Sequence, residues 1–307
     1  MHPAYSVILF TTSSGAGYGL LFWLALRSAL QPGAVGGWPD LIALALGLAL
    51  VTLGLLSSAF HLGRPERGWR AFSQWRTSWL SREGVVAVAT YVPAGLLGLG
   101  WLWPGLVPAL PLIALLLALG AVATVWCTGM IYACLRTIPA WNQGTVPVIY
   151  LVLAAGTGGA VLGVIDVAAG QGSRALTLLA ALALAAGLVA KRAYWERIDA
   201  PAPGPTRASA IGIPGASEIR PLDPPHTQPN FIMREMGYAV ARRHADRLRG
   251  LCSLLLGVAT LALALAALWP AAALPLVLLA VLAAAPGVVL ERWLFFAQAR
   301  HMAMLYY

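Results

Sequence analysis

Residues 38–60 read WPDLIALALGLALVTLGLLSSAF, and residues 61–84 continue HLGRPERGWRAFSQWRTSWLSREG before a second apolar run begins. A bilayer core about 30 Å thick is crossed by roughly 20 helical residues. The first stretch therefore reads as a membrane span and the second as a basic, tryptophan-rich loop. Working outward by the same rule gives spans at Tyr5–Leu30, Trp38–Phe60, Glu83–Trp103, Leu110–Leu135, Val146–Ala168, Arg174–Lys191, Leu251–Leu268 and Leu274–Ala297. Short Pro-bearing turns separate the third span from the fourth and the seventh from the eighth. Ten-residue alternating strands of the barrel type do not occur. The expected fold class is all-α integral membrane: one domain, residues 1–307, built as an eight-transmembrane-helix bundle.

Composition agrees. Of 307 residues 60% are hydrophobic and 10% charged, whereas a soluble domain is nearer half apolar and a quarter charged. A soluble enzyme is excluded. The net charge of +9 reports orientation in the bilayer, and no nucleic-acid partner is expected. Cys127, Cys134 and Cys252 have no C-x-x-C spacing, so no iron–sulfur or zinc site is readable within the chain. Residues 1–5 carry no Lys or Arg and the first apolar run has full span length, which argues against a cleaved signal.

With eight spans, both termini lie on the same side as the loops after spans two, four and six. That side carries 18 of the 20 Lys and Arg, leaving Arg27 and Arg174 on the other. Basic residues near span ends resist translocation, so the basic side, with both termini, is expected to be cytoplasmic. In a bacterium this places the chain in the inner membrane. Residues 194–249 form the one long polar insertion on this side. Its first part holds eight prolines, and Asn230 to Arg249 reads as a basic helix. The insertion suits contact with anionic headgroups and equally a docking arm for a cytoplasmic partner.

Ionisable groups at span ends are the functional candidates, because burying them in hydrocarbon is costly. His61 closes the second span and Glu83 opens the third, flanking one loop at one membrane depth. A quinone carbonyl needs a hydrogen-bond donor and a group that passes protons near neutral pH, and an imidazole beside a carboxylate meets both needs. The same pair also fits a structural contact at the headgroups, and spacing leaves both readings open. Arg64, Tyr132 and Arg136 are further candidates for holding a headgroup oxygen, Tyr132 and Arg136 being one helical turn apart. Thr11 to Ser14 with Gly15, Gly17 and Gly19 read as a small-residue packing face. Asp166 reads as wetted at the far end of its span, and Glu291 with Arg292 as paired with each other or with neighbours. Trp38, Trp101, Trp103 and Trp269 at the far span ends, and Trp141, Trp195 and Trp293 near the basic-side ends, read as interfacial aromatic belts. A bis-histidine haem b needs two imidazoles facing across the bundle. None of His2, His61, His226, His244 and His301 is mid-span, so only a single haem near the basic face, on His61, His244 or His301, is left open.

Three strings carry a family resemblance: His61-Leu-Gly-Arg-Pro65, Leu80-Ser-x-Glu83 and Thr137-Ile-Pro-Ala-Trp141. In this order, on these spans, they resemble the membrane-anchor subunits of dimethyl-sulfoxide-reductase-type molybdoenzymes. The resemblance implies that the chain holds an iron–sulfur electron-transfer subunit and a molybdopterin catalytic subunit at the membrane. It implies exchange of electrons with ubiquinone or menaquinone, with His61 and Glu83 in the quinone site. Molybdopterin and iron–sulfur clusters would sit in the partners only. The basic, cytoplasmic side on which His61 and Glu83 fall points, within this resemblance, to anchors of cytoplasmic quinone-linked sulfite dehydrogenases. The alternatives are an anchor for a sulfoxide or oxyanion reductase that oxidises quinol, and a small-molecule transporter. Against the transporter stands the shortage of polar groups near the bilayer midplane.

Overall fold

The structure, a computed structural model, describes residues 4–59, 64–200, 206–213, 219, 222–223, 227–228, 236 and 244–306. Among these residues the secondary structure is helical, and eight helices are long and apolar enough to cross a membrane. They are α1 (Tyr5–Leu30), α2 (Trp38–Ala59), α3 (Trp79–Leu102), α4 (Leu110–Ala133), α5 (Thr145–Ala168), α6 (Arg174–Asp199), α7 (Ala245–Leu268) and α8 (Ala273–Ala297).

The first helix is the axis of the bundle. It packs on α2, α4, α5 and α8, and its small residues explain how so many neighbours reach it. A β-carbon added at Gly19 would lie 1.8 Å from the Ala154 carbonyl oxygen, and one at Gly158 would lie 2.1 Å from the Gly19 carbonyl carbon. α1 and α5 therefore touch backbone to backbone. Gly54 of α2 meets Ser13 and Ser14 in the same way. The hydroxyls of Thr11, Thr12, Ser13 and Ser14 donate to carbonyls one turn back in their own helix, so the polar groups of this face cost little in an apolar interior. The expected packing face is present. Outside this core the pairs α3–α4, α5–α6, α6–α7 and α7–α8 complete the bundle, while α3 touches α2 only slightly.

Several helix ends differ from expectation. α3 starts one turn early, at Trp79, because Ser78 precedes it as an N-cap whose hydroxyl accepts from the Ser81 N–H. α6 runs on to Asp199 instead of stopping at Lys191, since Tyr194 and Trp195 keep burying apolar surface past the charges. Residues 194–199 of the expected arm thus belong to a helix. Of Asn230 to Arg249, residues 245–249 form the first turn of α7, and nearly all the rest lies outside the described residues. α4 ends at Ala133, so the helical turn expected to align Tyr132 with Arg136 is not formed.

Candidate functional site

Glu83 lies in the second turn of α3 with its side chain inside the bundle, 4% exposed. The loop before it is fastened to the helix start through Arg82. The Arg82 Nε donates to the Trp75 carbonyl at 2.9 Å and its terminal nitrogen to the Arg76 carbonyl at 2.7 Å, with the guanidinium 4.3 Å from the Trp79 ring centre. Phe72 of the short 3-10 helix Pro65–Gln74 covers Gly84. The outer surface of this loop presents exposed Trp69 and Trp75 beside Arg70 and Arg76.

The Glu83 carboxyl accepts a hydrogen bond from the Thr128 hydroxyl of α4, which can also donate to the Thr124 carbonyl at 3.0 Å. This arrangement serves either protonation state. With an ionised carboxylate the hydroxyl donates to it; with a protonated carboxyl the acid donates to the hydroxyl, which turns to Thr124. Four acidic side chains are buried among the described residues: Asp40, Glu83, Asp166 and Glu291. Asp40 and Asp166 share Arg27, and Glu291 lies between Lys191 and Arg292. Glu83 has a hydroxyl and, among the described residues, no cation.

Beside Thr128 a small cavity of about 10 Å³ adjoins Thr11, Thr12, Ser14, Tyr150 and Arg292. That is room for roughly one water, not for a quinone ring.

His61 falls outside the described residues, so its expected partnership with Glu83 has no structural reading. Arg64 is exposed at the start of the 3-10 helix. Arg136 is exposed in the turn beyond α4. Tyr132 sits one turn from Thr128 on α4, but its ring belongs to an aromatic cluster with Trp141, Tyr150, Phe295 and Phe296, centroids 5.3 to 6.0 Å away. Of the five candidates, Glu83 and Tyr132 flank Thr128, and Arg64 and Arg136 stand apart at the surface. His244 is exposed at the start of α7, and His301 accepts from the Ala303 N–H through Nδ1 at 3.0 Å.

The Thr137–Trp141 string has a structural explanation. Ile138 and Trp141 are 3% and 6% exposed; the Trp141 indole donates to the Phe295 carbonyl at 3.0 Å, and the Met302 N–H donates to the Thr137 carbonyl at 2.9 Å. Trp141 and Trp195, expected in an interfacial belt, are core residues. Trp38, Trp103 and Trp269 at the opposite ends are exposed as expected.

Of two buried ion clusters, the Glu291–Arg292 contact was expected from the sequence, while Lys191 as its third member and the whole Arg27 cluster were not. Asp166, expected to be wetted, is 1% exposed and receives Arg27 at 2.7 Å, while Arg27 also binds Asp40, whose second oxygen accepts from the Gly36 and Gly37 N–H groups. Lys191, expected at a span end, is fully buried 2.5 Å from Glu291, with Arg292 3.0 Å from the other oxygen. Arg292 stands 3.4 Å from the Tyr150 ring centre. The one available signal was their number: few charges interrupt the spans, and such charges pair.

Two comparisons bear on the whole chain. Residues 1–298 match the family described as DMSO reductase anchor subunit (DmsC). The chain is also 33% identical to a sulfite dehydrogenase subunit of Allochromatium vinosum, over an alignment covering 100% of this chain and 99% of that protein.

Proposed function

The chain belongs to the DMSO reductase anchor subunit family, and on that premise we propose that it is the membrane anchor and quinone-binding subunit of a molybdenum-dependent sulfite:quinone oxidoreductase. The observation that carries the quinone site is the buried carboxyl of Glu83, held by a hydroxyl and by no cation among the described residues. A carboxyl in that setting exchanges a proton without breaking an ion pair. The Thr128 hydroxyl remains bonded before and after the transfer. His61, outside the described residues, is assigned to the same site by the family resemblance of the His61–Pro65 string.

The sulfite assignment is supported by the full-length similarity to the Allochromatium protein and by the charge asymmetry. Lys191 and Arg292 neutralise Glu291, and Arg27 neutralises two aspartates. Setting these three aside, the basic side still holds 16 Lys and Arg against Arg174 alone. Both termini and the Glu83 end are therefore read as cytoplasmic, which puts the iron–sulfur and molybdopterin partners on the same side. Sulfite and water yield sulfate, two protons and two electrons; quinone takes up both electrons and two protons from the same compartment. The reaction then moves no net charge across the membrane. The partners supply the oxidation and the electron path; this chain binds quinone and delivers protons at Glu83.

Purification from native membranes tests the assignment. An iron–sulfur protein and a molybdenum protein should accompany the chain, and the complex should reduce quinone with sulfite. A chain that comes alone contradicts the anchor reading, and a complex that oxidises quinol with a sulfoxide but ignores sulfite contradicts the substrate.

A further inference from the structure

The outer side of the α6–α7 pair carries a groove of about 520 Å³ whose walls include Leu188, Arg192 and Trp195 of α6 and Arg249, Ser253 and Gly257 of α7. Its long part is apolar and faces the bilayer, because Leu254 and Leu261 along it are 62% and 64% exposed. Gly250 and Gly257 are two helical turns apart on one face of α7. A methyl group added at either would meet nothing within 4 Å. They differ in this from Gly17, Gly19, Gly54 and Gly158, whose missing side chains admit a neighbouring helix. Helix packing therefore gives no reason for glycine at these two positions, while an occupied groove does.

The basic end of the groove is rich in donors and, among the described residues, short of acceptors. Trp195 is 5% exposed and its indole N–H has no acceptor. Asp199 takes both terminal nitrogens of Arg249, and Gln298 shares one of them at 3.3 Å. The Arg249 Nε is left buried without an acceptor. Arg192 is exposed on the same wall. Glu196 and Asp246, the other nearby acids, are exposed. Arg192 and Arg249 lie about 10 and 6 Å inside the ends of their helices at 1.5 Å per residue, the depth of lipid phosphates.

We propose that this groove binds an anionic phospholipid. Its phosphate oxygens accept from Trp195 Nε1, Arg249 Nε and the Arg192 guanidinium, and one acyl chain lies over Gly250, Ser253 and Gly257 towards Leu261. Buried donors call for a ligand that brings oxygen acceptors, and the guanidinium groups favour net negative charge over a zwitterionic headgroup. The site is separate from the Glu83 region and does not depend on the quinone reading.

The test is native mass spectrometry of the purified complex after exchange into equimolar phosphatidylglycerol and phosphatidylcholine. Wild type should retain phosphatidylglycerol preferentially. Arg192→Gln and Trp195→Phe should each lower retention roughly five- to tenfold, the loss of one charged or buried hydrogen bond. Gly257→Leu leaves the donors intact but fills the chain-binding part. It should abolish lipid retention while leaving inorganic phosphate binding unaltered, which separates a lipid from a bare anion. Equal retention of the two lipids, a bound quinone in place of phospholipid, or unchanged retention in all three variants overturns the proposal.

Discussion

The Thr128 hydroxyl on α4 donates to the Glu83 carboxyl on α3, and the same hydroxyl lies 3.0 Å from the Thr124 carbonyl. Thr128 can thus follow the carboxyl through a change of protonation. Thr128→Val keeps the volume and removes the hydroxyl, leaving a buried carboxyl unbonded at a cost of about 1–3 kcal/mol. Quinone-linked turnover of the complex should fall about tenfold or more, and Thr128→Ser should recover most of it. Steady-state quinone reduction reads the difference, and equal rates for Val and Ser would assign Thr128 to packing alone.

Arg27 joins α1 to α2 and α5 through Asp40 and Asp166. Arg27→Met strands two buried carboxylates and should destabilise the bundle by roughly 3–5 kcal/mol. Adding Asp40→Asn and Asp166→Asn should recover part of the loss, because neutral amides tolerate the site better than unpaired charges. Thermal unfolding in detergent measures both steps.

In the Lys191–Glu291–Arg292 cluster one acid balances two bases. Glu291→Gln leaves two buried cations without a counter-charge, whereas Lys191→Met leaves Glu291 still paired with Arg292. The first variant should lose stability by about 3–5 kcal/mol and the second by clearly less. The order of their unfolding temperatures checks the point.

Glycines divide by what surrounds them. Gly19→Ala would drive a methyl into the Ala154 carbonyl, and the yield of folded protein should collapse. At Gly257 a methyl meets open space, and Gly257→Ala should be neutral or stabilising by up to about 1 kcal/mol. Size-exclusion profiles and unfolding temperatures of the pair distinguish a packing glycine from a groove glycine.

Cys134 is exposed at the basic end of α4, while Cys127 and Cys252 are buried. An impermeant maleimide should therefore label inverted membrane vesicles at Cys134 and leave right-side-out vesicles unlabelled. The opposite pattern would place the basic side and both termini outside the cytoplasm.

Hydropathy was enough to place all eight spans, and the spacing of Thr11 to Gly19 was enough to identify the packing face of α1. Helix ends were harder, because local contacts decide them: the Ser78 cap lengthens α3, and Tyr194 with Trp195 extends α6 past Lys191. Buried charge was the least legible feature. Residue-by-residue hydropathy assigns Asp166 and Lys191 to water because it counts the transfer cost of each alone. Arg27 and Glu291, distant in sequence, remove that cost. Glu83 was legible as an ionisable group at a span end, but its burial and its contact with Thr128 on α4 were not, since the expected neighbour was His61 at the end of the second span.

The most direct test of the quinone site compares wild type with Glu83→Gln in two assays on the same membranes: sulfite-dependent quinone reduction, and sulfite oxidation by a soluble dye that bypasses the anchor. Gln keeps the Thr128 hydrogen bond and removes the exchangeable proton. Quinone-linked activity should fall by about two orders of magnitude while dye-linked activity stays at the wild-type level. Full quinone-linked activity in Glu83→Gln would contradict the account and reduce the Glu83–Thr128 contact to a structural bond.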